Sequence, residues 1–152
     1  MPVSGLVLQS SAFNDHDLMP GRLSRSGGNA SPPLQWSGIP DGAAELVLLC
    51  EDPDAGAEPF LHWLVTGIDP TADGVDEGEV PSYGEERTNG FGSEGWGGPQ
   101  PPVGDEPHRY FFHLYAVRHP LELPEQPHVS DVQRAAANAE LASGTLVGMF
   151  AR

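Results

Sequence analysis

Three short stretches of the chain set acids, bases and hydrogen-bond donors beside apolar runs. The first is EDPDA (51–55), where Asp52 and Asp54 flank a proline. The second is PFLHWLVTGI (59–68), in which His62 is the sole titratable side chain. The third is HRYFFHLYAVR (108–118), which opens on His108 and Tyr110. Aspartates and histidines gathered in one hollow can do acid–base chemistry or hold a divalent cation. A histidine and a tyrosine on one strand face can instead donate to the oxygens of an anion. Each stretch also has an ordinary structural reading. Asp-Pro-Asp forms turns because aspartates bond their own backbone and proline presets φ, and a lone strand histidine can be a hydrogen-bonded core residue.

The third stretch follows directly on GGPQPPVG (97–104). From Gly97 to Tyr110 the chain carries three glycines and four prolines. Turn residues of that density fix a loop's shape, whether it walls a site or only turns a corner between strands.

These loops need strands to hold them. Alternation over 59–68 predicts Phe60, His62, Leu64 and Thr66 on one face and Leu61, Trp63 and Val65 on the other. Over 108–118 it predicts His108, Tyr110, Phe112 and Leu114 facing one way, and Arg109, Phe111, His113 and Tyr115 the other. AAELVLLCE (43–51) is a near-continuous apolar run between turn signals, the mark of a strand covered on both faces. VSGLVLQ (3–9) reads as a first strand and SPPLQW (31–36) as a short edge strand, since its prolines cannot donate to a ladder. The stretch Asp69–Gly98 reads as a long irregular connection, with an acidic half (71–86) facing solvent and a glycine-aromatic half packed. In SDVQRAAANAELASG, Ser130 and Gln133 suggest a capping box and Gly144 a helix stop, leaving TLVGMFAR as a terminal strand.

Composition agrees. The 152 residues hold 19 glycines and 16 prolines distributed between apolar runs, which predicts a single all-β domain with many turns and a minor helix. With 22 acids, seven arginines and no lysine, the net charge is −15. That surface repels phosphate backbones and anionic headgroups, so nucleic acid is not an expected partner. Cys50, the single cysteine, reads as a buried structural thiol. No apolar window is long enough to span a bilayer and no basic-then-apolar leader opens the sequence, so a cytoplasmic protein is expected.

Taken together and in order, SPPLQW, LVLLCEDPDA, HRYFFHLYAV and AELASGTLVGMF closely resemble the phosphatidylethanolamine-binding protein family, which includes the Raf kinase inhibitor proteins. The bacterial branch is the nearer likeness, and the match runs over roughly residues 4–150. The resemblance implies two antiparallel sheets with a small pocket at one end, open to phosphate, acetate or phosphoethanolamine headgroups. Its pocket residues, carried onto this sequence, are Asp52, Asp54, His62, Gly98, Pro99, Pro101, Pro102, His108 and Tyr110. On that reading the glycines let backbone approach a ligand and the prolines keep the wall rigid. His108 and Tyr110 then donate to ligand oxygens, both imidazoles supply charge on demand, and the aspartates orient a histidine or receive an ammonium. The resemblance also allows a protein partner, in the manner of a kinase or protease inhibitor, and a homodimer. Departures include Gly56 and a short spacer in DPDAGAEPF, Trp96 before the Gly-Pro loop, and Gln100 between prolines.

The sequence thus predicts a non-enzymatic binder of small anions, with no cofactor. The alternative is a hydrolase using the Asp/His pocket, with or without a divalent metal. It lacks any H-E-x-x-H spacing, nucleophile elbow or activated serine or cysteine. A third class is an interaction module working through the acidic loop.

Overall fold

The computed structural model describes residues 5–152, and Val3 and Ser4 of the first expected strand lie outside them. Eight strands and one α-helix follow in chain order, with a single 3-10 turn at Gly21–Leu23. They are β1 (Val7–Gln9), β2 (Leu34–Ser37), β3 (Glu45–Asp52), β4 (Phe60–Ile68), β5 (Gly74–Val75), β6 (Glu85–Glu86), β7 (His108–Val117), α1 (Val129–Ala139) and β8 (Glu140–Phe150). All strand pairs are antiparallel, in a three-stranded sheet ordered β1-β2-β5 and a five-stranded sheet ordered β6-β4-β3-β7-β8.

β3 lies at the centre of the larger sheet, which is why its sequence is apolar on both faces. Leu46, Leu48 and Cys50 pack toward the small sheet with Leu8, Leu34, Trp36, Trp63, Tyr110 and Phe112. Val47 and Leu49 pack the other way, against Val129, Val132, Ala136 and Ala139 of the helix. β7 alternates as expected, with Tyr110, Phe112 and Leu114 on the small-sheet side and Tyr115 on the helix side.

β4 does not keep strict alternation. Cys50 pairs with Trp63 but Glu51 pairs with Leu61, so His62 is an extra residue in a β-bulge. Leu61 and Leu64 therefore both face the helix, while Trp63 and Val65 face the small sheet.

Three further expectations change. β2 starts after its prolines and runs between β1 and β5, so it is central, not an edge. The connection 69–98 contributes two short strands, β5 pairing with β2 and β6 with β4. The helix begins two residues earlier and ends sooner than predicted. Its N-cap is His128, whose N–H donates to the Asp131 carboxylate at 2.8 Å. Residues 140–144 pair with β7 instead of continuing the helix, because the ladder along Leu114–Val117 needs a partner. Gly144 is small for a tertiary reason: a Cβ there would meet the Leu6 carbonyl oxygen at 2.6 Å.

Candidate functional site

At one end of the large sheet, β3 finishes, β4 enters its bulge and β7 begins. A cavity of about 140 Å³ opens there. Of the residues expected to share a pocket, Asp52, His62, Pro101, Pro102, His108 and Tyr110 line it. Ala55, Phe60, Phe91 and Gln100 complete the wall.

His62 reaches it through the bulge. Its Nδ1–H donates to the Gly97 carbonyl at 2.5 Å, and its own carbonyl accepts the Gly97 N–H at 2.9 Å. A carbonyl can only accept, so Nδ1 carries the hydrogen and Nε2 is a lone pair in the neutral ring. Burial pulls the imidazole down to about 4, outweighing the Gly97 contact, and the nearby His108 lowers it further. His62 is neutral at pH 7 and does not supply the positive charge expected of it.

His108 has the opposite character. Nδ1 donates to Asp52 at 2.7 Å, and Nε2 lies 3.2 Å from Asp105. Burial lowers its pKa, but the two carboxylates outweigh this and raise it above the ordinary histidine value. With both nitrogens engaged, His108 has no free N–H for a ligand oxygen, which corrects the expectation of a donor. Asp52 is fixed in turn. One oxygen holds His108 and the other accepts the Asp54 N–H at 2.8 Å. Burial raises its pKa, partly offset by the His108 contact.

Tyr110 is fully buried between the two imidazoles, its ring centroid 5.2 Å from that of His62 and 6.5 Å from that of His108. Its hydroxyl is the only buried side-chain polar atom without a partner among the described residues. Burial pushes the phenol far up, so it stays protonated and is a donor.

Three expected residues stand elsewhere. Asp54 turns outward and takes Arg109 at 2.7 and 3.0 Å, with the Arg109 N–H at 2.9 Å. Those hydrogen bonds hold its carboxyl below the usual range. Gly98 is required, but for protein contact: a Cβ would collide with the Leu23 carbonyl oxygen. Its N–H donates to Asn29 at 2.7 Å, and the Pro99 carbonyl accepts the Arg25 N–H at 3.0 Å. The Gly-Pro segment is thus clamped onto residues 23–29 and holds the following prolines in place. Trp96 joins this anchor, donating to the Leu23 carbonyl at 3.1 Å and stacking on Phe112.

Sequence spacing gave no sign of Arg25 or Arg152. The Arg25 guanidinium sits 3.8 Å over the Phe91 ring and donates to Gln100 at 3.2 Å. Arg152 donates to the Pro101 carbonyl at 2.7 Å. Among the described residues neither is in an ion pair with a carboxylate, whereas Arg22, Arg87, Arg109 and Arg134 are. In a strongly acidic chain, two uncompensated cations thus brace one wall of the cavity. No group of three or more His, Cys, Asp and Glu side chains among the described residues is arranged to hold a metal ion.

The fold that carries this hollow is shared with known proteins. Residues 9–151 match the phosphatidylethanolamine-binding protein family, and the chain belongs to it. It is 38% identical over 150 residues to a UPF0098 protein of Methanothermobacter thermautotrophicus, covering 95% of this chain and 98% of that one. It is 43% identical over 147 residues to LppC of Mycobacterium tuberculosis, named a lipoprotein, covering 95% of this chain and 72% of the relative. Among solved structures it superposes on the phosphatidylethanolamine-binding protein homologue CT736 of Chlamydia trachomatis with a TM-score of 0.86, at 30% identity over 99% of both chains. It superposes on Escherichia coli YbcL, described as a member of the mammalian family, with a TM-score of 0.87 at 25% identity, covering 97% and 98%. No helix among the described residues is long and apolar enough to cross a membrane.

Proposed function

We propose that the chain is a non-enzymatic binding protein whose cavity captures a small oxyanion group, such as phosphate, a phosphoethanolamine headgroup or a carboxylate. One observation carries the reading: the Tyr110 hydroxyl is buried, protonated and without a partner beside the cavity. An unsatisfied buried donor is destabilising by about 1–3 kcal/mol, and a ligand oxygen relieves it. Arg25 and Arg152 support a negative charge at that wall.

Hydrolysis has less support. Asp52 and His108 are bonded to each other, and no serine, threonine or cysteine lines the cavity. Cys50 is fully buried, and burial raises its thiol well above the ordinary range. Control of a protein partner and homodimerisation extend the same proposal outward from the cavity. So does a cytoplasmic location, which fractionation of the host tests, since one relative is named a lipoprotein.

Titration of the ¹⁵N-labelled protein with millimolar phosphate and phosphoethanolamine tests the central point. The expected result is saturable movement of the His62 imidazole and Tyr110 signals. No movement of either overturns the reading.

A further inference from the structure

Resting on the oxyanion reading, we infer that the cavity holds its ligand with one proton between a ligand oxygen and Nε2 of His62. It therefore selects phosphomonoester monoanions over phosphodiesters and fully ionised oxyanions.

The tautomer of His62 carries this. The Gly97 N–H donates to the His62 backbone carbonyl and fixes the two backbones together, and the ring is held by its Nδ1–H, which points at the Gly97 carbonyl. Nε2 makes no hydrogen bond among the described residues, and His62 lines the cavity. A ligand oxygen bearing only lone pairs would meet another lone pair there. Either the ligand brings a hydrogen or the ring gains one, and in both cases the complex holds a proton that the dianion and neutral ring lack. His108 cannot supply that hydrogen, because its nitrogens face Asp52 and Asp105. Tyr110 then donates to a second oxygen of the same group.

Charge points the same way. The titratable groups around His62 are Asp52 on β3 and His108 and Tyr110 on β7, with Asp105 behind His108. Arg25 lies over Phe91, and Arg152 holds the back of Pro101. The carboxylates of Asp52 and Asp105 stand on the His108 side of the cavity, facing Arg25 and Arg152 at its proline wall, so the surroundings suit one negative charge better than two. Burial keeps the ring neutral in the free protein.

A phosphomonoester loses its second proton near pH 6, so its monoanion remains accessible at neutral pH. A phosphodiester, the linkage of a lipid headgroup in its membrane, has no acidic hydrogen to offer. Methyl sulfate has the shape and single charge of methyl phosphate monoanion and lacks only that hydrogen.

The experiment is calorimetric titration of the full chain with methyl phosphate, methyl sulfate and dimethyl phosphate. Near pH 6, methyl phosphate should bind at least about tenfold more tightly than either of the others, the scale of one hydrogen bond to a charged group. Above that pH its affinity should fall about tenfold per unit, since the free ligand gives up the proton that the complex keeps. His108 titration acts on both ligands alike and cancels in their ratio at any one pH. Buffers of different ionisation enthalpy, well above the ligand's second pKa, should report about one proton taken up per methyl phosphate bound. If methyl sulfate or dimethyl phosphate binds within tenfold of methyl phosphate near pH 6, the proton inference is overturned and the oxyanion reading stands. If none of the three binds at millimolar concentration, both fall.

Discussion

Glu51 and Asp52 are neighbours at the end of β3, and the pleat sends them to opposite faces of the same sheet. Each meets a histidine of β7 at nearly the same distance: Glu51 to His113 at 2.8 Å and Asp52 to His108 at 2.7 Å. The surroundings differ. On the helix face, Glu51 also accepts from Gln133 at 2.8 Å, and His113 meets Thr145 at 3.1 Å. Both ring nitrogens of His113 are engaged, no buried side-chain polar atom there lacks a partner among the described residues, and the cluster ties α1 to the sheet. On the other face the pair borders a cavity with an unpartnered hydroxyl and an imidazole lone pair. An acid–histidine pair is therefore no mark of a site on this sheet. What distinguishes the two regions is the hydrogen-bonding capacity left over.

Removing Glu51 should have the largest effect on stability. Glu51→Ala leaves His113 and Gln133 without their shared acceptor and should destabilise the fold by about 3 kcal/mol, as when one partner of a buried pair is deleted. Denaturant unfolding reads this, and oxyanion binding by the folded fraction should be unchanged. A comparable loss comes with acid. The His62 pKa is lowered in the folded chain, so its contribution is complete above its ordinary value of 6.5 and disappears as pH falls from there toward about 4. The size is about 3 kcal/mol over that window. His108 acts with the opposite sign, since its raised pKa stabilises at lower pH and that contribution is lost as pH rises through it. Thermal melts from pH 8 to pH 4 should therefore fall on the acid side, and a His62→Gln variant should flatten that limb.

Tyr110→Phe sharpens the comparison from the cavity side. It should weaken oxyanion binding by about 2 kcal/mol, roughly thirtyfold, while leaving stability equal or slightly higher. The free protein loses no hydrogen bond when that hydroxyl goes. The smallest effect belongs to Asp54, once expected in the pocket. Its pairing with Arg109 is solvent-exposed on the arginine side, so Arg109→Gln should change stability by under about 1 kcal/mol and binding not at all.

How much of this could be read in advance depends on what each feature answers to. β3, β4 and β7 were legible because burial on both faces writes an apolar run, and period-2 alternation placed Tyr110 with Phe112. The bulge at His62 was not, since it is set by which residue of β3 each position meets. The same holds for the end of α1, where an alanine-rich stretch with good helix propensity gives way to pairing with β7. β5 and β6 are two residues each, too short to leave a pattern. For the site, the resemblance named six residues that line the cavity and three that do not. Gly98 is a place of close approach to the backbone of Leu23, where the resemblance implies approach to a ligand. Arg25 and Arg152 came from the far reaches of the chain and had no local signature.

A crystal of the full chain soaked with a phosphomonoester tests the central claim most directly. A phosphoryl oxygen within about 2.6–3.0 Å of His62 Nε2 and another within the same reach of Tyr110 Oη is the predicted result. A ligand bound at another place, with both of those atoms still unbonded, would contradict it.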